Sequence, residues 1–516
     1  MEKPNIVLIV MDAVRAQNMS VYGYKKETTP MIEKMLSDCM LYKNAISSAY
    51  WTLPSFPSLF TGTYLSKHGL VVEGDVLDPK LITIAEMLKT KGYVTIGLCK
   101  NVYVSHFSGL DRGFDIFYDY RYQSPKSMLY DLLLRSIQRG RHTPLHGTKN
   151  AGEMDQDERF QGAARSKKRT LENITELGVL RQAFWNLTAF SDKSAKNKNE
   201  LAFRLVKKVK RKPFFVFIHY DEAHTPYILP KDSRERFIDF ELDRKPWDVN
   251  QDYVKYFSRR VKMDESDFQT LEALYNGAIS YLDRRVHEIY SFLQEENLSD
   301  NTMMIITSDH GDNLGEHGIM FHVFCLYDTL IKIPLIIKYP AELSPSGSES
   351  RIVQNTDVLP TIMDVLGVKG KNMLNQIQGN SLVTSNIKKR SYLYGISELV
   401  KPFGPALRPL RKLLKMYDRR LISIRTKTRK YIFSSDGRHE FYDLEKDPQE
   451  LNNLIDRKDK SIRHDILDLR RKLRPWLEAF NDFYQKNQSK IDEEEKIKDM
   501  ETEIKQRLKR LGYLCL

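Results

Sequence analysis

Two apolar runs far apart in the chain end in the same manner. Asn5–Met11, NIVLIVM, stops at Asp12, and Thr302–Thr307, TMMIIT, stops at Ser308, Asp309, His310 and Gly311. Continuous apolar runs of this length predict strands buried on both faces of a parallel sheet. Residues 93–98 and 214–219 read the same way; Lys100 follows the first, and Asp221 and His224 follow the second. Residues 81–91, residues 276–296 and the stretch after Pro360 predict helices. Segments 390–397, 420–425, 430–434 and 441–442 predict a small antiparallel sheet, and the charged, helix-periodic residues 462–514 predict a closing helix. The chain therefore reads as α/β, with a mixed, mainly parallel central sheet flanked by helices and a smaller C-terminal α+β subdomain. The divisions fall at 1–385, 386–460 and a helical tail 461–516. In open sheets of this kind a ligand lies beyond the carboxyl ends of the strands, which places Asp12, Asp309 and His310 at one edge. Two carboxylates and an imidazole there suit a divalent metal ion.

Thr52 stands in the stretch WTLPSFPSLFTG. Pro54 fixes its own φ and disfavours a helical conformation before it, so Thr52 is expected at a bend, with a short helix from Ser55 onward. A hydroxyl at a helix N-terminus meets free N–H groups and a dipole that favour an anion. On these residues alone the stretch reads equally as a capped amphipathic helix with no chemistry.

Composition changes the picture in the middle of the chain. From about 122 to 212 the sequence turns basic, with RSIQRGRHTPLHG, ARSKKRT and LVKKVKRK between amphipathic pieces such as GVLRQAFWNL. This predicts a helical insert or a partly disordered lid, read either as a solvated excursion or as a basic face that attracts an anionic lipid or polymer. The 81 Lys and Arg against 68 Asp and Glu leave a net charge of +13, which favours anionic partners without marking specific nucleic-acid recognition. Cys39, Cys99, Cys325 and Cys515 have no paired spacing that implies a disulfide framework or a metal clip. No signal-like segment precedes the first strand and no apolar run reaches the ~20 residues of a spanning helix, so the cytoplasm is the expected compartment.

The order of many blocks then carries a resemblance. NIVLIVMDAVRAQNMSVYGY, TTPMIEKM, WTLPSFPSLFTG, GLCKN, FIHYDEAHTPY, IITSDHGDNLGEHG, YDTLIKIPLIIKYP, TDVLPTIMDVLG and FYDLEKDPQELNNL together resemble the sulfatase family of the alkaline phosphatase superfamily. The resemblance implies an alkaline-phosphatase-like sheet and a divalent ion held by Asp12, Thr52, Asp309 and His310. It further implies Lys100 on the ester oxyanion and His224 or His322 binding the transferred group or protonating the leaving oxygen. Asp221 is left to bind substrate or a second metal.

Two departures bear on the reaction. The family's nucleophile signature, C-x-P-S-R or S-x-P-S-R, matures to formylglycine, whereas this chain has Thr52, Leu53, Pro54, Ser55 and Phe56. A threonine cannot yield that aldehyde; phosphoryl-transferring relatives use an unmodified threonine. Met11 and His310 replace the Asp and Asn of the usual metal set, which resembles a phosphoryl-transfer site and also fits phosphonate monoesterase-like relatives, which share the Asp-His pair but use formylglycine. The imidazole favours zinc or manganese while leaving calcium or magnesium open. The expected activity is phosphoester, phosphodiester or phosphonate hydrolysis, or phosphoryl transfer, through a covalent Thr52 intermediate. The alternatives are a sulfuric ester hydrolase and an inactive binder of anionic polymers.

Overall fold

The computed structural model describes residues 3–119, 195–239, 246–343, 345–368, 375–383, 394–400 and 406–510. The apolar runs form the middle of one sheet. With strands numbered in chain order, β1 (Asn5–Met11) lies between β5 (Phe214–Tyr220) and β6 (Thr302–Thr307), parallel to both. All residues of these three strands are buried. β3 (Val94–Cys99) and β4 (Ile116–Asp119) continue the parallel order beyond β5. On the other side β8 (Leu335–Lys338) runs antiparallel to β6 and to β2 (Cys39–Ile46). β7 (Lys332–Ile333) and β9 (Gly347–Gln354) pair with β2.

Side-chain alternation along β1 divides the interior in two. Val7, Ile9 and Met11 face one core, closed by the helices Ala195–Val209 and Glu265–Glu295. Ile6, Leu8 and Val10 face the other, closed by the helices Thr52–Thr61, Ile84–Thr90 and Val358–Val365. Met11, where the usual family set has an aspartate, is packed in the first core.

Three helix starts differ from the sequence expectation. The long helix begins at Glu265, not 276, because Asp264 and Asp267 cap each other's backbone N–H groups ahead of the apolar repeat. Thr83 and Glu86 form the same box and start the next helix at Ile84. The third begins at Thr52 itself, because Pro54 falls in its first turn, where a missing N–H leaves no bond unmade.

Residues 120–194, which hold most of the expected basic insert, lie outside the described residues. Its carboxyl end, in the helix Ala195–Val209, buries Ala195, Ala202 and Val206 in the first core. Among the described residues no helix is long and apolar enough to cross a membrane.

The C-terminal subdomain is an antiparallel sheet of β10 (Gly395–Leu399), β11 (Leu421–Arg425), β12 (Arg429–Ser434) and β13 (Glu440–Asp443). Ile466, Leu469, Leu473 and Phe480 of the helix Lys460–Arg510 cover one face. Its junction with the larger sheet combines apolar contacts, such as Ile46 and Ile352 with Leu399 and Leu421, with a buried ionic cluster. Arg425 clasps Asp328 with Nε at 2.9 Å from Oδ1 and Nη2 at 2.8 Å from Oδ2. Lys430 Nζ lies 3.0 Å from the same Asp328 and 2.7 Å from Glu450, which in turn accepts the Asp328 N–H at 2.6 Å. All four side chains are buried. Asp328→Asn leaves two buried cations short of their shared carboxylate. It is expected to cost about 3–5 kcal/mol in denaturant unfolding; a loss under about 1 kcal/mol would contradict the network's role.

Candidate active site

Four side chains meet where β1, β6 and the Thr52 helix converge. Asp12 is the first residue after β1; Asp309 and His310 follow β6 by two and three positions. All three, with Thr52, are buried. From His310 Nε2 it is 3.2 Å to Thr52 Oγ1, 3.4 Å to Asp309 Oδ2 and 3.6 Å to Asp12 Oδ1.

The backbone around them is arranged to hold each donor by one side only. Ala13 takes a left-handed conformation at φ 60, a strain of about 1–3 kcal/mol, and so aims its N–H at Asp309 Oδ1, 3.3 Å away. The N–H of His310 reaches the same oxygen at 3.0 Å. Asp12 Oδ2 accepts from Asn101 Nδ2 at 3.2 Å and lies 3.2 Å from His219 Nε2. His310 Nδ1 donates to the Gly311 carbonyl at 2.7 Å, which turns Nε2 toward the two carboxylates. Among the described residues, Asp12 Oδ1 and Asp309 Oδ2 are buried without a hydrogen-bond partner.

A divalent cation fits this donor set. One ligand atom from each of Asp12, Asp309 and His310 lies within 4.8 Å of the others, and among the described residues these form the one such group. Two orphaned carboxylate oxygens facing an imidazole nitrogen make an uncompensated buried cluster unless a cation joins them.

The surrounding contacts fix the cluster to the fold. Ser47 and Ser55 each donate to the Asp309 carbonyl at 2.6 Å, which ties the Thr52 helix to the end of β6. Gly311 has no room for a side chain: a Cβ there meets the Thr329 carbonyl at 2.1 Å. Arg15, buried, bonds the Asp312 carbonyl at 3.0 Å and Glu316 at 2.7 Å, and so anchors the loop leaving His310. Phe56, at the position of the family's arginine, packs edge-on against Phe217 and His219 with centroids at 6.0 and 5.5 Å.

The other expected residues divide into two groups. The His322 ring centroid lies 4.4 Å from that of His310, and the His224 ring is 5.0 Å from His322, so both imidazoles border the cluster. His224 Nδ1 donates to the Thr225 carbonyl at 2.8 Å. Lys100 and Asp221 instead pair with each other at 2.9 Å, and the second Asp221 oxygen takes Lys198 at 2.8 Å. Both Asp221 oxygens thus face lysines, and Asp221 does not join the gathered ligand group. Lys198, its fully buried partner, lies 23 positions away and carries no motif. His219 and Asn101 were likewise not singled out from sequence; the one available signal is an imidazole breaking the apolar run FFVFIHY.

The two carboxylates of the site are shifted in opposite directions. Burial raises the Asp309 carboxyl above the usual aspartate range and the adjacent Asp12 raises it further. Burial acts the same way on Asp12, but His219, His224 and His310 outweigh it and hold that carboxyl well below the usual range. Burial, then the neighbouring His310 and His224, press the His322 ring well below the usual histidine value and favour its neutral form.

With this geometry in place, comparison with known proteins gives the family. The family model described as Sulfatase matches residues 4–368. An arylsulfatase of Clostridium perfringens is 24% identical over 90% of this chain and 93% of its own. The multifunctional alkaline phosphatase superfamily protein PehA of Trinickia caryophylli is 23% identical over 71% of this chain and 74% of its own. Among solved structures, the phosphonate monoester hydrolase SpPMH from Silicibacter pomeroyi superposes with a TM-score of 0.65 at 17% identity, covering 93% of this chain and 97% of that one. The chain belongs to the sulfatase family and is a hydrolase acting on ester bonds.

Asp309→Asn gives a direct test of the electrostatics. Because the folded carboxyl titrates above its unfolded value, its stabilising share is present at acid pH and lost as pH rises. The metal-free Asn variant is therefore expected to melt no lower than wild type at neutral pH while losing metal binding by calorimetry. A lower melting temperature with intact metal binding would contradict the assignment.

Proposed function

We propose that the protein hydrolyses phosphoric esters, with Thr52 as a covalent nucleophile. The observation that supports this most is a threonine, which no oxidation can convert to formylglycine, as the first residue of a buried helix with its hydroxyl 3.2 Å from His310 Nε2. The donor set Asp12, Asp309, His310 and Thr52 suits zinc or manganese better than calcium, because imidazole is a poor calcium ligand.

When bound, a divalent ion at this cluster supplies the positive charge that lowers the hydroxyl pKa and offsets charge on the phosphoryl oxygens. Thr52 Oγ, having lost its proton to solvent, forms a bond to phosphorus in line with the departing ester oxygen. The free N–H groups of Thr52 and Leu53 at the helix start, with Lys100 held in orientation by Asp221, bind the equatorial oxygens. His224, anchored through Nδ1, gives a proton from Nε2 to the leaving oxygen. His322, neutral, offers one N–H to the transferred group. The neutral His224 then takes a proton from water, whose oxygen displaces Thr52 and releases phosphate. An acceptor alcohol in place of water makes the same cycle a phosphoryl transfer.

A second reading, a sulfuric ester hydrolase, draws support from the family match and from relatives such as the clostridial arylsulfatase. Turnover of p-nitrophenyl phosphate, bis-p-nitrophenyl phosphate and p-nitrophenyl sulfate by the metal-loaded protein separates the two. Phosphoester turnover is expected, falling at least about 1,000-fold in Thr52→Ala. Sulfate turnover alone would overturn the phosphoester reading, and undiminished Thr52→Ala activity would overturn the nucleophile.

A further inference from the structure

His219 is an imidazole where the fold calls for an apolar side chain. It is the sixth residue of β5, opposite Val10 in register, on the face that carries Phe215, Phe217 and the Thr52 helix. It is fully buried, and among the described residues neither ring nitrogen makes a hydrogen bond of good geometry. Burying an imidazole without such a bond carries a desolvation cost. A phenylalanine there would continue the FFVF pattern without that cost. What the imidazole has instead are two polar neighbours, the Cys99 thiol at the end of β3 and Asp12 Oδ2, the latter 3.2 Å from Nε2. The same oxygen accepts from Asn101, which stands two residues past the end of β3. Two groups from two other strands therefore converge on one oxygen of Asp12, while Oδ1 is left bare and 3.6 Å from His310 Nε2.

We propose that His219, assisted by Asn101, is a positioning residue for Asp12: together they hold Oδ2 so that Oδ1 alone is presented to the metal. The inference rests on the metal reading of the site. It follows the general behaviour of ligating carboxylates, whose outer partners fix orientation and whose loss weakens metal binding about 10–100-fold. Asp309 is built on the same plan with different parts, since two backbone N–H groups hold its Oδ1 and leave Oδ2 bare. Asp12 lacks that backbone support at its side chain and obtains it from His219 and Asn101.

The test is calorimetric titration of metal-stripped protein with manganese and with zinc, on wild type, His219→Phe, His219→Gln, Asn101→Ala and Asp12→Asn, with the metal-free melting temperature of each. His219→Phe is expected to bind about 10–100-fold more weakly while its metal-free melting temperature holds or rises, because the apolar pattern is completed. His219→Gln, which keeps a donor near Oδ2, is expected to recover part of that loss. If the phenylalanine variant does not fold, the glutamine and Asn101→Ala variants decide, with weakened binding expected in both. Wild-type affinity in the folded His219 variants, with Asp12→Asn binding lost, would overturn the positioning role and leave the metal reading standing. Absence of binding in wild type itself would overturn the metal reading and the inference with it.

Discussion

Two carboxylates sharing one buried place are the constraint on which the rest of this structure depends. Asp12 and Asp309 come from the ends of neighbouring parallel strands, so their approach is set by the sheet and cannot relax by rotamer changes alone. Without a cation the pair is unfavourable, and the strain appears as a raised Asp309 carboxyl beside a depressed Asp12. Each nearby element answers to that conflict. Ala13 accepts a left-handed backbone to bring an N–H to Asp309, and the Gly311 carbonyl turns His310 so that Nε2 faces the two acids. The Thr52 hydroxyl then arrives at a place whose charge has already been arranged.

That arrival depends on the C-terminal subdomain as well as on the main sheet. β10 bonds back to the segment ahead of Thr52, with Glu398 N–H on the Ser48 carbonyl at 2.9 Å. The ionic cluster of Asp328, Arg425, Lys430 and Glu450 fixes β11 and β12 against the chain just beyond the His322 loop. Buried ion pairs of this kind add little net stability over apolar packing, but they tolerate few alternative arrangements. Thr52 and the imidazoles bordering it are thus held from both sides by the same small sheet.

Much of this was legible in the sequence wherever a local pattern carried it. NIVLIVM and TMMIIT could be read as central strands because both faces are covered, and Asp12, Asp309 and His310 followed from the rule that ligands gather at carboxyl ends. The start of the Thr52 helix was not legible, since Pro54 reads as a breaker until its place in the first turn is known. The long helix was read too short because its first turn is capped by Asp264 and Asp267 before the apolar repeat begins. Asp221 reads in the sequence as a contact to substrate or a second metal; its ion pairs with Lys100 and Lys198, from distant segments, come only with the fold. His219 sat inside an apolar run, and only strand register set it beside Asp12.

The proposed reaction passes the phosphoryl group of the ester through Thr52 as a phosphate ester of its hydroxyl. The most direct measurement is rapid acid quench of the metal-loaded protein during turnover of a phosphate diester, followed by peptide mapping with mass spectrometry. A phosphorylated Thr52 peptide that appears within the first turnover and disappears as substrate is exhausted is the result expected here. Steady turnover with Thr52 unmodified throughout, or with the group on another side chain, would contradict it.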